Sequence, residues 1–227
     1  MKIDGTHIST LGVRIKDYNI QAPTPKTISV DTPFANGGIF LNPLGIPIFN
    51  NRTITITLDY KPKNFADIYF KYSEILTLVY KKEKQQIVFD WDSQFFYFGR
   101  CVSCEIEREY DKYATYTLTF ECEPYKYDIA IAGEPWLWDP FNFLNGIIYS
   151  KPTQIVGSGT ITLANRLKPV IPIFKVTQPC TIAWKGKTYK LVTGSNRIAD
   201  VLLPPGTSTI TVTGTTTITV SYHVGEL

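Results

Sequence analysis

The sequence predicts a mainly β protein with one α-helix, in which an N-terminal β-rich domain precedes a C-terminal β-sandwich. Short segments of alternating apolar and polar residues recur along the chain, and this period of two is typical of half-buried strands. One segment, residues 64–82, has helical spacing instead. Residues 131–159 show little periodicity and are rich in Trp, Phe, Asn, Pro and Gly. They therefore predict joining loops between a first domain at 1–130 and a second at 160–227.

The first sixty residues predict strands and turns, interrupted by an unusual apolar stretch. Phe34 to Ile48 contains three glycines and two prolines, so it fits neither a central strand nor the interior of a helix. It predicts an ordered loop or a projecting hairpin. Two interpretations stay open: the stretch packs on its own domain, or it is an arm that reaches a neighbouring subunit through Phe34, Ile39, Phe40, Leu41, Leu44 and Ile46.

The predicted helix has both capping and amphipathic signals. Asn64 is a candidate N-cap and Asp67 lies in the first turn, while lysines 81, 82 and 84 cluster at the other end, as the helix dipole favours. One apolar stripe at helical spacing is predicted to pack on a sheet: Phe65, Ile68, Tyr72, Ile75, Leu76 and Val79.

A long hairpin is predicted after the helix, from two alternating segments that begin at Cys101 and end at Tyr127. A three-residue loop at 111–113 keeps one face of the hairpin apolar by pairing Val102 with Cys122, Cys104 with Phe120 and Ile106 with Leu118. Pro124 is predicted to end the second strand, because proline has no N–H to donate. The opposite, polar face carries four carboxylates: Glu105, Glu107, Glu109 and Glu121.

After residue 160, about seven short strands with turn signals between them predict the β-sandwich. Charge is spread mildly: residues 1–127 carry 15 basic and 15 acidic side chains, and residues 128–227 carry 8 and 5. Such a balance disfavours direct nucleic-acid recognition. Neither a signal peptide nor a membrane span is predicted. The four cysteines are predicted to be buried free thiols.

No enzymatic, metal or cofactor site is predicted. The two histidines, His7 and His223, lie near opposite ends of the chain and in different predicted domains, whereas a nucleophilic device needs a histidine held by partners in a cleft. Asp90 and Asp92 flank Trp91 at a strand end and are interpreted as solvated turn carboxylates.

The chain resembles the distal tail (Dit) proteins of siphophages, which form the tail-tip or baseplate hub. The resemblance rests on an ordered set of motifs: Ile3-Asp4-Gly5 at the start, one helix before the hairpin, a Thr-rich and aromatic strand that runs into Pro124-Tyr125-Lys126-Tyr127, then Leu203-Pro204-Pro205-Gly206, Thr-rich strands and Tyr222. It covers nearly the whole chain.

This resemblance implies a non-enzymatic virion protein of a phage or prophage, assembled in the bacterial cytoplasm, with a galectin-like second domain. It implies a homo-hexameric ring formed by the first domain at the end of the tail tube. The implied neighbours are the tail-tube protein, the tail-associated lysin or tail fibre protein and the receptor-binding protein. DNA would pass through the ring without specific binding, and the acidic hairpin face is either a plain solvated face or the lining of that channel.

An alternative function from another class is a carbohydrate-binding module that recognises host cell-wall saccharide. Aromatic faces stack on sugar rings, and four aromatic residues of the C-terminal half are candidates: Trp136, Trp138, Trp184 and Tyr189. Fold alone does not decide between the two functions.

Overall fold

In the computed structural model, the described residues are 1–31, 38–41, 47–110, 112–129, 131 and 152–227. They form strands throughout, one α-helix and two short 3-10 helices. The mainly β fold class with a single helix, predicted from the sequence, is confirmed for this part of the chain. The contacts divide it into two compact units: residues 1–90, 97–124 and 227 form the first, and residues 91–96 and 125–226 form the second.

The first unit is built on one antiparallel sheet in the order β2-β1-β7-β8-β9-β6-β3. β18 pairs with the last residues of β9, and both of these segments belong to the second unit. The strands are β1 (Lys2–Ile3), β2 (Thr6–His7), β3 (Arg14–Ile20), β6 (Arg52–Tyr60), β7 (Gln85–Val88), β8 (Phe95–Tyr110), β9 (Tyr113–Asp128) and β18 (Gly225–Glu226). A separate two-stranded hairpin consists of β4 (Ile28–Asp31) and β5 (Gly38–Leu41).

The helix, α1 (Phe65–Val79), begins where the sequence places it and ends three residues earlier. Asn64 caps it, since its side chain accepts the backbone N–H of Asp67 at 3.0 Å. The predicted stripe is confirmed at Ile68, Ile75 and Val79, which are buried in the core, but wrong at Phe65, which is 47% exposed. The predicted lysines 81, 82 and 84 lie beyond the last turn.

The central strands of the sheet supply the core of the first unit. The alternation in β6 buries Ile54, Ile56 and Leu58, and the ladder sets these residues opposite Phe120, Leu118 and Tyr116 of β9. The phenol of Tyr116 donates to the carbonyl of Ile68 at 2.8 Å, and its ring stacks on Tyr72. The helix is therefore joined to the sheet by packing and by a buried hydrogen bond.

The predicted hairpin forms, but its alternation is broken once in β8. Cys101 and Cys104 are both buried, whereas Val102 is 49% exposed, so the predicted pairing of Val102 with Cys122 is wrong. Two buried residues three apart require one extra residue between them, which is the signature of a β-bulge at Val102 and Ser103. Ahead of the bulge, Gly99 lies against Cys122: a Cβ added to Gly99 would be 2.8 Å from the Cα of Cys122.

Pro124 does not end β9, contrary to the prediction, although the pairing of β9 with β6 ends just before it. The pairing of β6 with β9 stops at Arg52 and Cys122, two residues before the proline. β9 itself continues to Asp128 and pairs with β18 through Lys126 and Tyr127. The missing N–H of Pro124 thus falls where β6 no longer needs a donor, which is how a strand tolerates proline.

The second unit is a sandwich of two four-stranded antiparallel sheets, so the predicted β-sandwich is confirmed. One sheet has the order β10-β17-β12-β15 and the other the order β11-β16-β13-β14. The strands are β10 (Thr153–Ile155), β11 (Ser158–Asn165), β12 (Ile173–Val176), β13 (Cys180–Trp184), β14 (Lys187–Leu191), β15 (Gly194–Arg197), β16 (Gly206–Thr213) and β17 (Thr216–Ser221). The first of these strands therefore lies before residue 160, where the sequence predicts the strands of the second domain to start.

The inner faces of the two sheets form the second core. Phe174, Ile182, Ile210 and Val212 are fully buried there, and the register of β11 on β16 sets Ile161 directly opposite Ile210.

The four cysteines of the chain are free and buried, as predicted. Burial raises the pKa of Cys101 to about 11 and that of Cys122 to about 12.

Candidate functional site

The polar face of the first unit's sheet is the candidate functional surface, and threonines fill its centre. Thr53, Thr55 and Thr57 of β6 are half-buried. The ladder places them opposite Glu121, Thr119 and Thr117 of β9, in that order. Threonine suits this position because its branched side chain favours a pleated surface while its hydroxyl stays polar.

Carboxylates border this threonine surface, as the sequence predicts. Glu105 and Glu107 of β8 are exposed, and Glu107 accepts a hydrogen bond from the Thr117 hydroxyl at 3.0 Å. That contact joins β8 and β9 on one face. It agrees with the predicted hairpin register, which pairs Ile106 with Leu118 and so sets Glu107 opposite Thr117. The side chain of Glu109 lies outside the described residues.

Glu121 differs from the other carboxylates because it has partners. The amide of Asn51 donates to its Oε1 at 3.0 Å, and Arg100 lies 3.5 Å from its Oε2. These contacts, the Asn51 hydrogen bond first, lower the pKa of Glu121. The charge of Glu121 is therefore partly neutralised, and the free negative charge of the face lies at Glu105 and Glu107.

The six candidate interface residues of the apolar stretch are only partly described. Ile39, Phe40 and Leu41 belong to β5, whose backbone pairs with Val30, Ser29 and Ile28 of β4 in that order. Phe34, Leu44 and Ile46 lie outside the described residues, as do Trp136 and Trp138. The projecting-hairpin form of the prediction agrees with this pairing, while the arm's contact with a neighbour stays a prediction.

Arg52 is a buried cation that sequence reasoning missed. It is 5% exposed; its Nε donates to the carbonyl of Pro124 at 2.9 Å, and its Nη2 donates to the same oxygen. The guanidinium also lies 5.4 Å from the ring centre of Tyr97. Burial lowers its pKa. The arginine satisfies the carbonyl at which β9 leaves the β6 ladder.

His7 contacts both a serine and a carboxylate, although the sequence gives no sign of it. Its Nδ1 is 2.5 Å from the Ser9 hydroxyl, and its Nε2 is 3.0 Å from Oδ2 of Asp90. Asp90 comes from 83 residues away in sequence, and its pKa is lowered, chiefly by a hydrogen bond from the terminal ammonium of Met1. The same Nδ1 accepts the backbone N–H of Ser9 and so caps the first 3-10 helix. We assign this group a structural role.

A second group of charges lies in the second unit. Arg166 approaches Asp128 at 3.4 Å and Glu226 at 3.0 Å, and Lys126 lies 3.5 Å from Glu226 and 3.2 Å from Asp92. Burial raises the pKa of Asp128 to about 6, and the opposing effect of Arg166 is smaller. This group ties the end of β9 to β18 and to the segment after β11.

Two aromatic candidates for sugar binding are described, and both pack against the core of the sandwich. Trp184 is 7% exposed and belongs to that core. Tyr189 is partly buried against the same core, and its hydroxyl donates to Asp200 at 3.2 Å. The alternation of β13 turns residue 184 inward together with Cys180 and Ile182, so Trp184 does not present its ring to a sugar.

Within the described ranges, no group of three or more His, Cys, Asp or Glu side chains is placed to hold a metal ion. In the same ranges, no helix has the length and apolarity that a membrane span requires.

The fold defined above, a helix-bearing β unit followed by a β-sandwich, is found over the full length of a phage tail protein. A crystal structure of the SPP1 Dit (gp 19.1) protein matches with a TM-score of 0.60 and 12% sequence identity, covering 99% of this chain and 98% of that one. That protein is described as a paradigm of the hub adsorption apparatus in phages that infect Gram-positive bacteria. The two-part fold expected from the resemblance to distal tail proteins is thereby confirmed.

Chains of the phage P2 baseplate in its activated conformation also match, but less closely. The calcium form gives a TM-score of 0.45 at 7% identity, covering 93% of this chain and 90% of that one; the strontium form gives 0.43 at 8%, covering 92% and 90%. No protein-family model matches the chain, and no curated protein matches its sequence.

Proposed function

We propose that this chain is a distal tail protein: a structural, non-enzymatic subunit of the ring-shaped hub at the end of a phage or prophage tail tube. The full-length match in fold to the SPP1 Dit hub protein is the observation that carries the proposal. The ordered sequence motifs, from Ile3-Asp4-Gly5 to Tyr222, also support it.

In this proposal the first unit forms a homo-hexameric ring, and the polar sheet face lines its channel. Exposed Glu105 and Glu107, beside a surface of threonine hydroxyls, repel phosphate. Like charges keep a duplex from adhering, so DNA slides through without specific binding. The ring connects the tail tube to the lysin or fibre protein and to the receptor-binding protein.

The ring is tested by measuring absolute mass by light scattering on a sizing column at several protein concentrations. We expect a species about six times the 25.7 kDa chain, or a pair of such rings, because a heterologous interface that closes by rotation gives a ring of fixed size. A chain that stays monomeric at every concentration, and that also joins no ring when mixed with its tail-tube neighbour, would contradict the proposal.

The apolar stretch is tested by deleting residues 37–46. If it clasps an adjacent subunit, the deletion variant folds but is largely monomeric, since the apolar side chains that close the ring are lost. Circular dichroism checks the fold and light scattering checks the mass. Retention of the full ring would reject the role of this stretch and leave the ring itself intact.

The channel lining is tested with the double substitution Glu105→Lys and Glu107→Lys. Because two lysines on the lining attract phosphate, we expect ejection of DNA to slow while assembly is unchanged. Glu74→Lys with Glu83→Lys is the matched control, since it makes the same change of charge in and just after the helix instead of on the polar face of the sheet. Unchanged ejection in the Glu105 and Glu107 variant would remove this surface from the channel.

A further inference from the structure

Among the described strands, β11 is a sheet edge whose own sequence contains no device against pairing with another strand. It is eight residues long, Ser158 to Asn165, and carries neither a charge nor a proline. Its pairing with β16 runs through eight successive residue pairs without a register shift. A long, regular, uncharged edge is a template for a further strand.

Most of the other edge strands among the described residues are protected. β14 carries two lysines, β15 carries an arginine, and β3 carries three charges and a bulge. β2 and β10 are two and three residues long. Charges, bulges and short length are the usual means of blocking edge pairing. The hairpin strands β4 and β5 are edges too, but each has only four residues, so β11 is the longest uncharged edge strand that the structure describes.

The main-chain groups that β11 leaves open can be assigned from its pairing. The carbonyl of Gly157 accepts from the N–H of Gly214 at 2.8 Å. The main-chain N–H and C=O groups of the odd-numbered residues of β11 therefore point toward β16. In an antiparallel ladder, alternate residues point away from the paired strand. The N–H and C=O of Thr160 and Thr162 therefore point out of the sheet edge, and no described residue is paired with them. The next outward carbonyl, that of Ala164, is already taken by the Tyr222 hydroxyl at 2.6 Å.

We propose that this edge binds the same edge of a second copy of the chain, joining two sandwiches into one continuous sheet. In the register that sets Thr160 opposite Thr162 of the second copy, each of these residues exchanges two hydrogen bonds with its counterpart. Four hydrogen bonds form, and they use the open groups of both copies while leaving Ala164 with Tyr222. The contact is isologous, since the two strands are related by a two-fold axis at Ile161.

The structure indicates why β11 itself is the complementary strand. The ladder to β16 already pairs Thr160 with Thr211, Thr162 with Thr209 and Ile161 with Ile210. A second β11 repeats these pairs at the outer edge, with threonine beside threonine and isoleucine beside isoleucine, and threonine pairs across strands are favourable. Because the strand is uncharged, self-pairing brings no like charges together.

The test is sedimentation of the full chain over a range of concentrations, with and without Thr160→Lys and Thr162→Lys together. Both side chains are exposed, so the change leaves the core intact, but it places lysine opposite lysine across the pair. We expect the pairing to weaken by about tenfold or more, so that the mass at a given concentration falls toward half of the wild-type value.

The matched control is Thr209→Lys with Thr211→Lys, which puts the same charges on the same sheet face but on β16, one strand away from the edge. We expect it to keep the wild-type mass. A second edge variant, Thr162→Pro, removes an outward N–H, and Thr162→Val, which keeps it, should pair normally.

Equal masses for the wild type and the double-lysine edge variant would overturn the inference. The inference would also be overturned if the β16 control lost as much mass as the edge variant. Pairing through β11 joins free chains into pairs or joins ring to ring, so its loss lowers the mass without opening a ring. Loss of doubling with the ring retained therefore separates this contact from the proposed function.

Discussion

Replacement of Arg52 by methionine measures what a buried cation contributes where β9 leaves its first ladder. Methionine keeps the aliphatic stem but removes both donors to the Pro124 carbonyl and the contact with the Tyr97 ring. Hydrogen bonds from a charged donor contribute about 1.5–3 kcal/mol, and the cation–π contact about 1 kcal/mol. Relief of the desolvation that lowers the Arg52 pKa offsets part of this, so we expect the free energy of unfolding to fall by about 2 kcal/mol.

The assay is urea unfolding followed by circular dichroism, with Arg100→Met as the control. Arg100 lies on the same sheet and faces Glu121 at 3.5 Å, but its side chain is 64% exposed. An exposed ion pair contributes about 0.5 kcal/mol, so Arg100→Met should change the midpoint little. If the two variants lose the same stability, the carbonyl of Pro124 does not need Arg52, and the reasoning is refuted.

Three further predictions concern the two cores and the pH response. Gly99→Ala should cost about 3 kcal/mol, because its Cβ would meet the Cys122 backbone, whereas Gly159→Ala meets the movable end of Ile155 and should be nearly neutral; thermal unfolding compares them, and equal midpoints would contradict the close approach. The cysteines should react with a thiol reagent only in urea, because burial holds their pKa values high; fast labelling of the native chain would refute this. The folded-state pKa of Asp128, about 6, exceeds its unfolded value. Its contribution to stability is therefore lost as pH rises from about 4 to 6, and Asp128→Asn should gain stability relative to the wild type over that window; a difference independent of pH would reject the shift.

The sequence predicts the parts of the fold that depend on local pattern. Alternation in β6 and β9 identifies the buried residues of the first sheet, and Asn64 with the spacing of Ile68, Ile75 and Val79 identifies the helix. Phe65 is misassigned because periodicity alone cannot tell a core-facing residue from one at the margin of the stripe. At the candidate surface, the sequence places Glu107 beside Thr117, but it does not predict the partners of Glu121.

Contacts between residues far apart in the chain cannot be predicted from local pattern. Arg52 is 72 residues from Pro124 and His7 is 83 from Asp90, and neither spacing follows a pattern that a strand or helix imposes. The bulge at Val102 escapes for a related reason. Residues 95–98 are all aromatic and do not alternate, so only the burial of Cys101 together with Cys104 reveals the extra residue.

The two irregularities of the long hairpin have a common physical consequence. In β8 the bulge moves the buried side from odd-numbered to even-numbered residues, so that Cys101 faces inward on one side of it and Cys104 on the other. In β9 the change occurs at Pro124: Cys122 is buried before it, and Tyr125 and Tyr127 are buried after it. The two tyrosines belong to the second unit, where Tyr127 stacks on Phe96 and both rings lie near the ammonium of Lys168. The strand therefore passes from one core to other packing partners at a residue that donates no hydrogen bond, and Arg52 supplies the partner for the carbonyl at that point.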